Sequence, residues 1–353
     1  MVKELKLDKD LVKQEKPTDS KDIGDFNSEV EEDDLTSIAG IGPKTAEKLR
    51  ELGYKTLTDI ATGRADEISS EMKISYAVAK TWVQYAQEKA LLKMKMLNAN
   101  EYYKEKINMQ KFIPTGSREF NEMLGGGIPT MSITGLSGRF SSGKTQICYE
   151  AVVEVIGKLK EKAVFIETEP DTFHLERLQE MADAKGYQCN WDNLYVCPAN
   201  QIPTAKAQYL QYKLVQKALE QGEPIRLIVV DSFTAKFRPG YSRTEMLPIR
   251  TREFSEHFFL MEYLASKYNV AWLITCQVIG APRPEMVLQS KVKYADDWYP
   301  VGGELLFHSV NNWISLHQIK TELWQATLFD SSWKPRKTVE FIICKKGIMD
   351  GVK

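Results

Sequence analysis

The stretch "GRFSSGKTQI" at 138–147 constrains this chain more than any other. Gly138, Gly143, Lys144 and Thr145 give the spacing GxxxxGKT. An apolar run before it, "MSITGL" (131–136), predicts a strand, and "TQICYEAVVEVIGKL" (145–159) after it predicts a helix. A glycine-bearing turn in that position aims its backbone N–H groups at an anion, while its lysine neutralises phosphate and its Thr hydroxyl reaches Mg²⁺. Gly138, Arg139, Phe140, Ser141, Ser142, Gly143, Lys144, Thr145 and Gln146 therefore form the candidate nucleotide cradle. The alternative is a Gly/Ser turn that happens to hold a lysine, and the flanking strand and helix argue against it.

Downstream, "KAVFIET" (162–168), "IRLIVVDS" (225–232) and "VAWLITCQV" (270–278) alternate with helical stretches. That pattern predicts an α/β core with a mostly parallel, twisted sheet covered by helices. Ligands of such sheets bind at the carboxyl ends of the strands. Asp231 ends one strand, placed to hold Mg²⁺ through water; the plainer alternative is a cap on the next helix. Glu167 and Glu169 end a second, and either can orient an attacking water; residue order alone does not choose. Gln277 ends a third, where a neutral amide can sense a γ-phosphate.

The N-terminal part is different. Residues 1–34 mix Lys, Asp and Glu with few aromatics and read as a disordered charged tail. From Leu35, "LTSIAGIGPKTAEKLRELGYKTLTDIATG" has the outline of a helix-hairpin-helix, with Ile38, Ile41, Ala46 and Leu49 on one face. Its hairpin and the helix start at Pro43 offer Gly40, Gly42 and Lys44 to a DNA phosphate, or simply pack. "ADEISSEMKISYAVAKTWVQYAQEKALLKMKM" (65–96) continues helically. The expected domains are 35–92, a linker at 93–111 and an ATPase core at 112–353.

Lys and Arg total 47 against 48 Asp and Glu, so any nucleic-acid site must come from local clustering. No apolar run approaches the ~18 residues that span a bilayer, and the charged start is unlike a signal peptide. No membrane partner is expected; the expected location is the cytoplasm, on the nucleoid in a prokaryote, or the nucleus in a eukaryote. The five cysteines form no CxxC pair and read as reduced core thiols, and the four histidines show no metal-ligand spacing.

In order along the chain, the helix-hairpin-helix, "MLNANEYY", "TGSREFNEMLGGGIPT", "GRFSSGKTQ", "ETEPDTFHLERL", "LIVVDS", "ITCQV", "PVGGELLFHS", "LFDSS" and "KKGIMDG" resemble the archaeal RadA and eukaryotic Rad51 recombinases, over about residues 35–353. The resemblance implies a RecA-type, DNA-dependent ATPase that assembles as a filament or ring on single-stranded DNA and exchanges strands with double-stranded DNA. ATP and Mg²⁺ are the implied cofactors, with K⁺ a further candidate, and recombination mediators or paralogues are candidate partners. Lys144 and Thr145 then bind phosphate and Mg²⁺, Asp231 is the Walker-B acid, Glu169 the catalytic carboxylate and Gln277 the γ-phosphate sensor. Arg177 matches the arginine that packs on adenine, Asp330 the cap laid over a neighbour's ATP, and Met96 with Ala99 the Phe-x-x-Ala self-assembly motif. Two segments are implied to face DNA: about 236–254, with Lys236, Arg238, Arg243, Arg250 and Arg252, and 279–300, with Arg283, Lys291 and Lys293.

Departures are visible too. Arg139 stands where the family usually has Glu, Arg243-Thr244-Glu245 where it has Gly-Arg-Gly, and Cys276 where it has Asn. Trp313 and His317 replace arginines. These altered positions admit a second reading, a RadA-like paralogue that binds ATP and assists a recombinase without efficient strand exchange. A helicase-type ATPase is a third, against which the hairpin domain and the linker motif argue.

Overall fold

The computed structural model describes residues 34–93, 95–237, 247–280, 298–300 and 304–351. The expected charged tail apart from Asp34, and Arg238, Arg243, Arg283, Lys291 and Lys293, lie outside the described residues. The chain divides into two compact units, Met1–Asn98 and Ala99–Lys353.

The first unit is helical. A 3₁₀ turn at Leu35–Ser37 is capped by the Asp34 carboxylate, and after the glycine turn come α1 (Pro43–Glu51), α2 (Leu57–Thr62), α3 (Ala65–Met72) and α4 (Tyr76–Lys93). Gly40 turns the chain at φ +91°, a conformation open to glycine, and Pro43 occupies the first position of α1, where no N–H is needed. Thr56 and Asp59 close a capping box on α2. The expected run of helix over 65–96 is interrupted, because Lys73 ends α3 in the left-handed region, and α4 stops at Lys93. Ile38, Ile41, Ala46 and Leu49 are all buried, as their spacing predicts, against Ile60, Trp82 and Ala86. Each large side chain so buried contributes roughly 1.5–3 kcal/mol.

The second unit opens with α5 (Ala99–Met109), β1 (Phe112–Ile113), α6 (Arg118–Leu124), β2 (Ile128–Pro129), β3 (Ser132–Gly138) and α7 (Lys144–Val153). It continues with β4 (Lys162–Glu167), α8 (Leu175–Lys185), β5 (Leu194–Cys197), α9 (Ala205–Glu220), β6 (Ile225–Asp231), α10 (Leu247–Tyr268) and β7 (Ala271–Gly280). It closes with β8 (Trp298–Pro300), α11 (Glu304–Ser309), β9 (Asn312–Lys320), β10 (Leu323–Ser331), β11 (Lys337–Cys344) and β12 (Gly347–Asp350). One large sheet runs β12-β11-β10-β9-β3-β7-β6-β4-β5, parallel from β9 through β5 and antiparallel from β9 to β12.

Both faces of the parallel part are covered, which is why its strands read as continuous apolar runs. In β6, Leu227 and Val229 face α6–α8 with Phe120, Tyr149 and Phe165, while Ile228 and Val230 face α9 and α10 with Tyr212, Phe258 and Trp272. Trp313 is fully buried on the second face, its ring lying over Gly135; the arginine-like position is therefore core rather than site. The helix expected over 145–159 is α-helical to Val153, and Glu154–Leu159 form a π-helical turn.

The structure adds detail to four further expectations. Cys148, Cys197 and Cys276 are buried, but Cys189 and Cys344 are only partly so. The segment 236–254, implied to face DNA, holds the end of a 3₁₀ turn at Ala235–Phe237 and the start of α10 from Leu247, which places Arg250 and Arg252 on a helix. The segment 279–300 begins and ends in strand, since β7 reaches Gly280 and pairs there with β8. The linker expected over 93–111 contains a full helix, α5, none of whose residues is buried. Among the described residues no helix is long and apolar enough to cross a membrane.

Candidate active site

Register brings the candidate residues together. Parallel pairing sets Gly138 of β3 beside Gln277 of β7, and Glu167 of β4 beside Asp231 of β6, all at the carboxyl ends of the strands. The loop from Gly138 to α7 then crosses this edge. Gly143 holds φ +90° immediately before α7, a left-handed turn that lets the loop feed the helix start. The Lys144 ammonium donates to the carbonyls of Gly138 (2.9 Å) and Arg139 (2.9 Å) and to Ser142 Oγ (3.2 Å). Burial pulls its pKa below the usual lysine range, and the charge of Asp231 opposes that shift.

Asp231 is buried, and each of its oxygens accepts a hydroxyl, Thr145 Oγ1 at 2.7 Å and Thr275 Oγ1 on the other side. Burial pushes its carboxyl up, while the two hydroxyl bonds and Lys144 hold it down. A desolvated carboxylate touching a loop Thr hydroxyl is an oxygen donor set suited to a hard dication such as Mg²⁺, so the residues fit that ion.

The two glutamates are distinguished by their partners. Glu167 Oε1 accepts the N–H groups of Thr172 (3.0 Å) and Phe173 (3.2 Å), and Oε2 accepts that of Ala199 (3.2 Å). It is spent on holding the turn 168–174. Glu169 stands on that turn and accepts a hydrogen bond from Gln277 Nε2, so the two candidate residues meet. Tyr149, one helical turn after Thr145, pins the same segment: its hydroxyl donates to the Thr172 carbonyl (2.6 Å) and accepts the His174 N–H (2.8 Å).

Arg177 stands on α8. Its guanidinium donates to Gln146 Oε1 (3.0 Å) and the Cys344 carbonyl (2.6 Å) and pairs with Glu180, which fixes its plane beside the end of the phosphate loop. Arg139, Phe140 and Ser141 are exposed at the loop's tip. Asp330 is not brought to this site. It pairs in register with Trp313 near the far end of β10, whereas Trp324, six residues earlier, donates its indole N–H to the Ser141 carbonyl (3.2 Å). Six strand residues span about 20 Å.

The candidate assembly and DNA residues divide. Met96 is fully exposed between α4 and α5, outside any helix or strand, and Ala99 opens α5, whose Tyr102, Tyr103 and Ile107 are also exposed. In the first unit Gly42 caps α1 without a side-chain bond, and Lys44 is exposed beside it. Arg252 pairs with Glu256 (3.0 Å), and Arg250 lies over the Phe254 ring.

Tyr149, Thr275 and Trp324 escaped sequence reasoning. Tyr149 was legible in principle, four residues after Thr145 on one helix face. Trp324 had no local signal, since it reaches the loop from a strand 183 residues away.

A family model described as Rad51 matches residues 107–351, and one described as a SAM-like helix-hairpin-helix tandem matches residues 32–88. Similar proteins include the DNA repair and recombination protein RadA of Aeropyrum pernix, 35% identical over 90% of this chain and 97% of that one. The RadA of Ignicoccus hospitalis is 34% identical over 91% and 97%, and that of Metallosphaera sedula 32% over 90% and 95%. A GxxxxGKT loop, a buried strand-end Asp and a strand-end Gln on neighbouring strands accompany these matches over nearly the whole length: the chain belongs to the Rad51 family.

Proposed function

We propose that this chain is an ATP-dependent DNA recombinase of the cytoplasm or nucleoid, assembling on single-stranded DNA and pairing it with double-stranded DNA. The observation that carries the reading is β7. That strand holds Gln277 against Glu169 and then leads, within three residues, to Gly280 at the start of the candidate DNA segment. ATP and Mg²⁺ are the proposed cofactors; the bound nucleotide supplies the phosphoryl group and the ion its charge neutralisation.

The chain's own residues divide the work. Lys144 and the loop amides hold the phosphates, and Thr145 and Asp231 hold Mg²⁺. Glu169 orients and polarises the attacking water, and Gln277 exchanges its bond to Glu169 for one to the γ-phosphate, a change that β7 passes to the segment beyond. Arg177 supports the adenine. Self-assembly runs through Met96 and Ala99, and Asp330 closes over the ATP of the adjoining copy, because its place on β10 takes it away from its own loop. Gly40, Gly42 and Lys44 meet DNA phosphates, with Arg238, Arg243, Arg250, Arg252, Arg283, Lys291 and Lys293 as the core's contribution.

Fluorescence anisotropy with labelled single strands, with and without a non-hydrolysable ATP analogue, tests the coupling. ATP tightens binding, and Lys144→Ala abolishes that gain. Equal binding in all arms removes the recombinase reading in favour of an assisting paralogue, for which the engagement of Arg252 by Glu256 speaks.

A further inference from the structure

Trp333, Lys334 and Arg336 stand in the turn between β10 and β11, directly after Asp330 and Ser331. Ser331 Oγ accepts the N–H groups of Trp333 (3.4 Å) and Lys334 (3.3 Å) and donates to Asn312 Oδ1 (2.9 Å), which ties the turn to the start of β9. Trp333 is 49% exposed, and the Lys334 ammonium lies 4.5 Å from its ring centroid. The Arg336 guanidinium lies 5.1 Å from the centroid of Phe329. Among the described residues neither cation has a carboxylate partner.

A cation resting on an aromatic face keeps its charge and its outward N–H groups. Part of its rotamer freedom is already spent, so little more is lost on meeting an anion. The protomer's own nucleotide is out of range, because from Trp324 at the phosphate loop to Ser331 is seven strand residues, about 23 Å. Asp330 sharpens the requirement. A carboxylate brought to a triphosphate repels it unless a cation lies between the two.

We propose that Arg336 and Lys334 supply that cation in trans, reaching the triphosphate of the ATP held by the neighbouring copy. The inference rests on the self-assembly and Asp330 readings above. Arg336, planar and forked, takes two phosphate oxygens, and Lys334 acts as a point charge. Both neutralise charge that builds on the transferring phosphoryl group and its leaving oxygen. They attach to the chain the positive charge for which K⁺ is the other candidate.

Mixed assemblies test this. Glu169→Gln spoils a copy's own site and leaves its turn intact; Lys334→Gln/Arg336→Gln spoils the turn and leaves its own site intact. Each variant alone, on single-stranded DNA, turns over ATP at least about 10²-fold more slowly than the parent. An equimolar mixture regains about a quarter of the parent rate per chain, since in head-to-tail contact a quarter of neighbours join an intact loop to an intact turn. That recovery also establishes that the turn variant is folded, because its own loop does the work. A mixture no faster than its components, with parent turnover still rising with protein concentration, overturns the inference and leaves self-assembly standing. A parent that sediments as a monomer and turns over independently of concentration removes self-assembly itself. Parent-level turnover in the turn variant, with weakened nucleotide-free binding to single strands, assigns the turn to DNA and equally overturns the proposal.

Discussion

Exchanging each of the two strand-end glutamates for glutamine separates anchoring from catalysis. Glu167 accepts three backbone N–H groups at 3.0–3.2 Å. A hydrogen bond to a charged acceptor is worth ~1.5–3 kcal/mol and one to a neutral acceptor ~0.5–1.5. Glu167→Gln therefore loses about 1 kcal/mol per bond and sets an NH₂ group against one of the donors, a total near 3 kcal/mol. For a unit of this size that lowers Tm by roughly 6–10 °C. If 1–2 kcal/mol of it reaches the hydrolysis barrier by displacing Glu169, the rate falls about 5- to 30-fold. Glu169→Gln breaks no backbone anchor, so Tm stays within about 2 °C. It removes the group that polarises water, and hydrolysis falls ~10²- to 10⁴-fold. Single-turnover hydrolysis of γ-labelled ATP and thermal melts measure both quantities. If Glu167→Gln abolishes hydrolysis at an unchanged Tm while Glu169→Gln stays active, the assignment of the two carboxylates is reversed and the argument from hydrogen bonds is refuted.

Lys185 donates to the buried carboxylates of Glu150 and Glu154, so Lys185→Met destabilises the fold by about 3–5 kcal/mol, and adding Glu150→Gln recovers part of that in denaturant melts. His257, 2% exposed among Tyr209, Tyr212, Phe233 and Phe237, is held neutral by burial, its pKa lowered to about 3. The folded value lies below the unfolded one, so its contribution is complete above about pH 6.5 and is lost as pH falls toward 3, by up to ~1.4 kcal/mol per unit; urea melts of His257→Phe between pH 7 and 5 have a shallower pH slope than the parent. Met96→Asp abolishes rapidly sedimenting assemblies without changing Tm, and assemblies that persist undiminished exclude the linker as the joint. Trp324→Phe keeps the ring but loses the bond to Ser141, weakening ATP binding about 3- to 10-fold by titration.

Legibility in the sequence followed the range of the interactions. The convergence of the 138–146 loop, Asp231 and Gln277 on one sheet edge was readable because each is announced by a local pattern, an apolar strand ending in a polar residue or a glycine turn. The hairpin of the first unit was readable for the same reason, since Ile38, Ile41, Ala46 and Leu49 keep helical spacing into the core. The different surroundings of Glu167 and Glu169 could not be read from residue order, because they depend on Ala199, in the turn after β5, and on Gln277 of β7. The helix in the linker was missed because α5 is polar overall and buries nothing, leaving no one-sided apolar pattern. That Arg250 and Arg252 stand on a helix was not legible, although Pro248 fits the first turn of α10, where proline is tolerated.

The length of β10 has a consequence for the ends of an assembly. Trp324 meets the loop of its own chain and Asp330 stands toward the opposite end of the strand, so on the proposed in-trans role of Asp330 no copy closes its own site. In an open row of n copies the terminal one receives no cap, so n − 1 sites are complete; a closed ring has none missing. Turnover per chain in open rows climbs with length, from half of the limiting value in a pair toward that limit in long rows. Rings hold it constant. Rate per chain against mean assembly size therefore distinguishes the two architectures without an image of either.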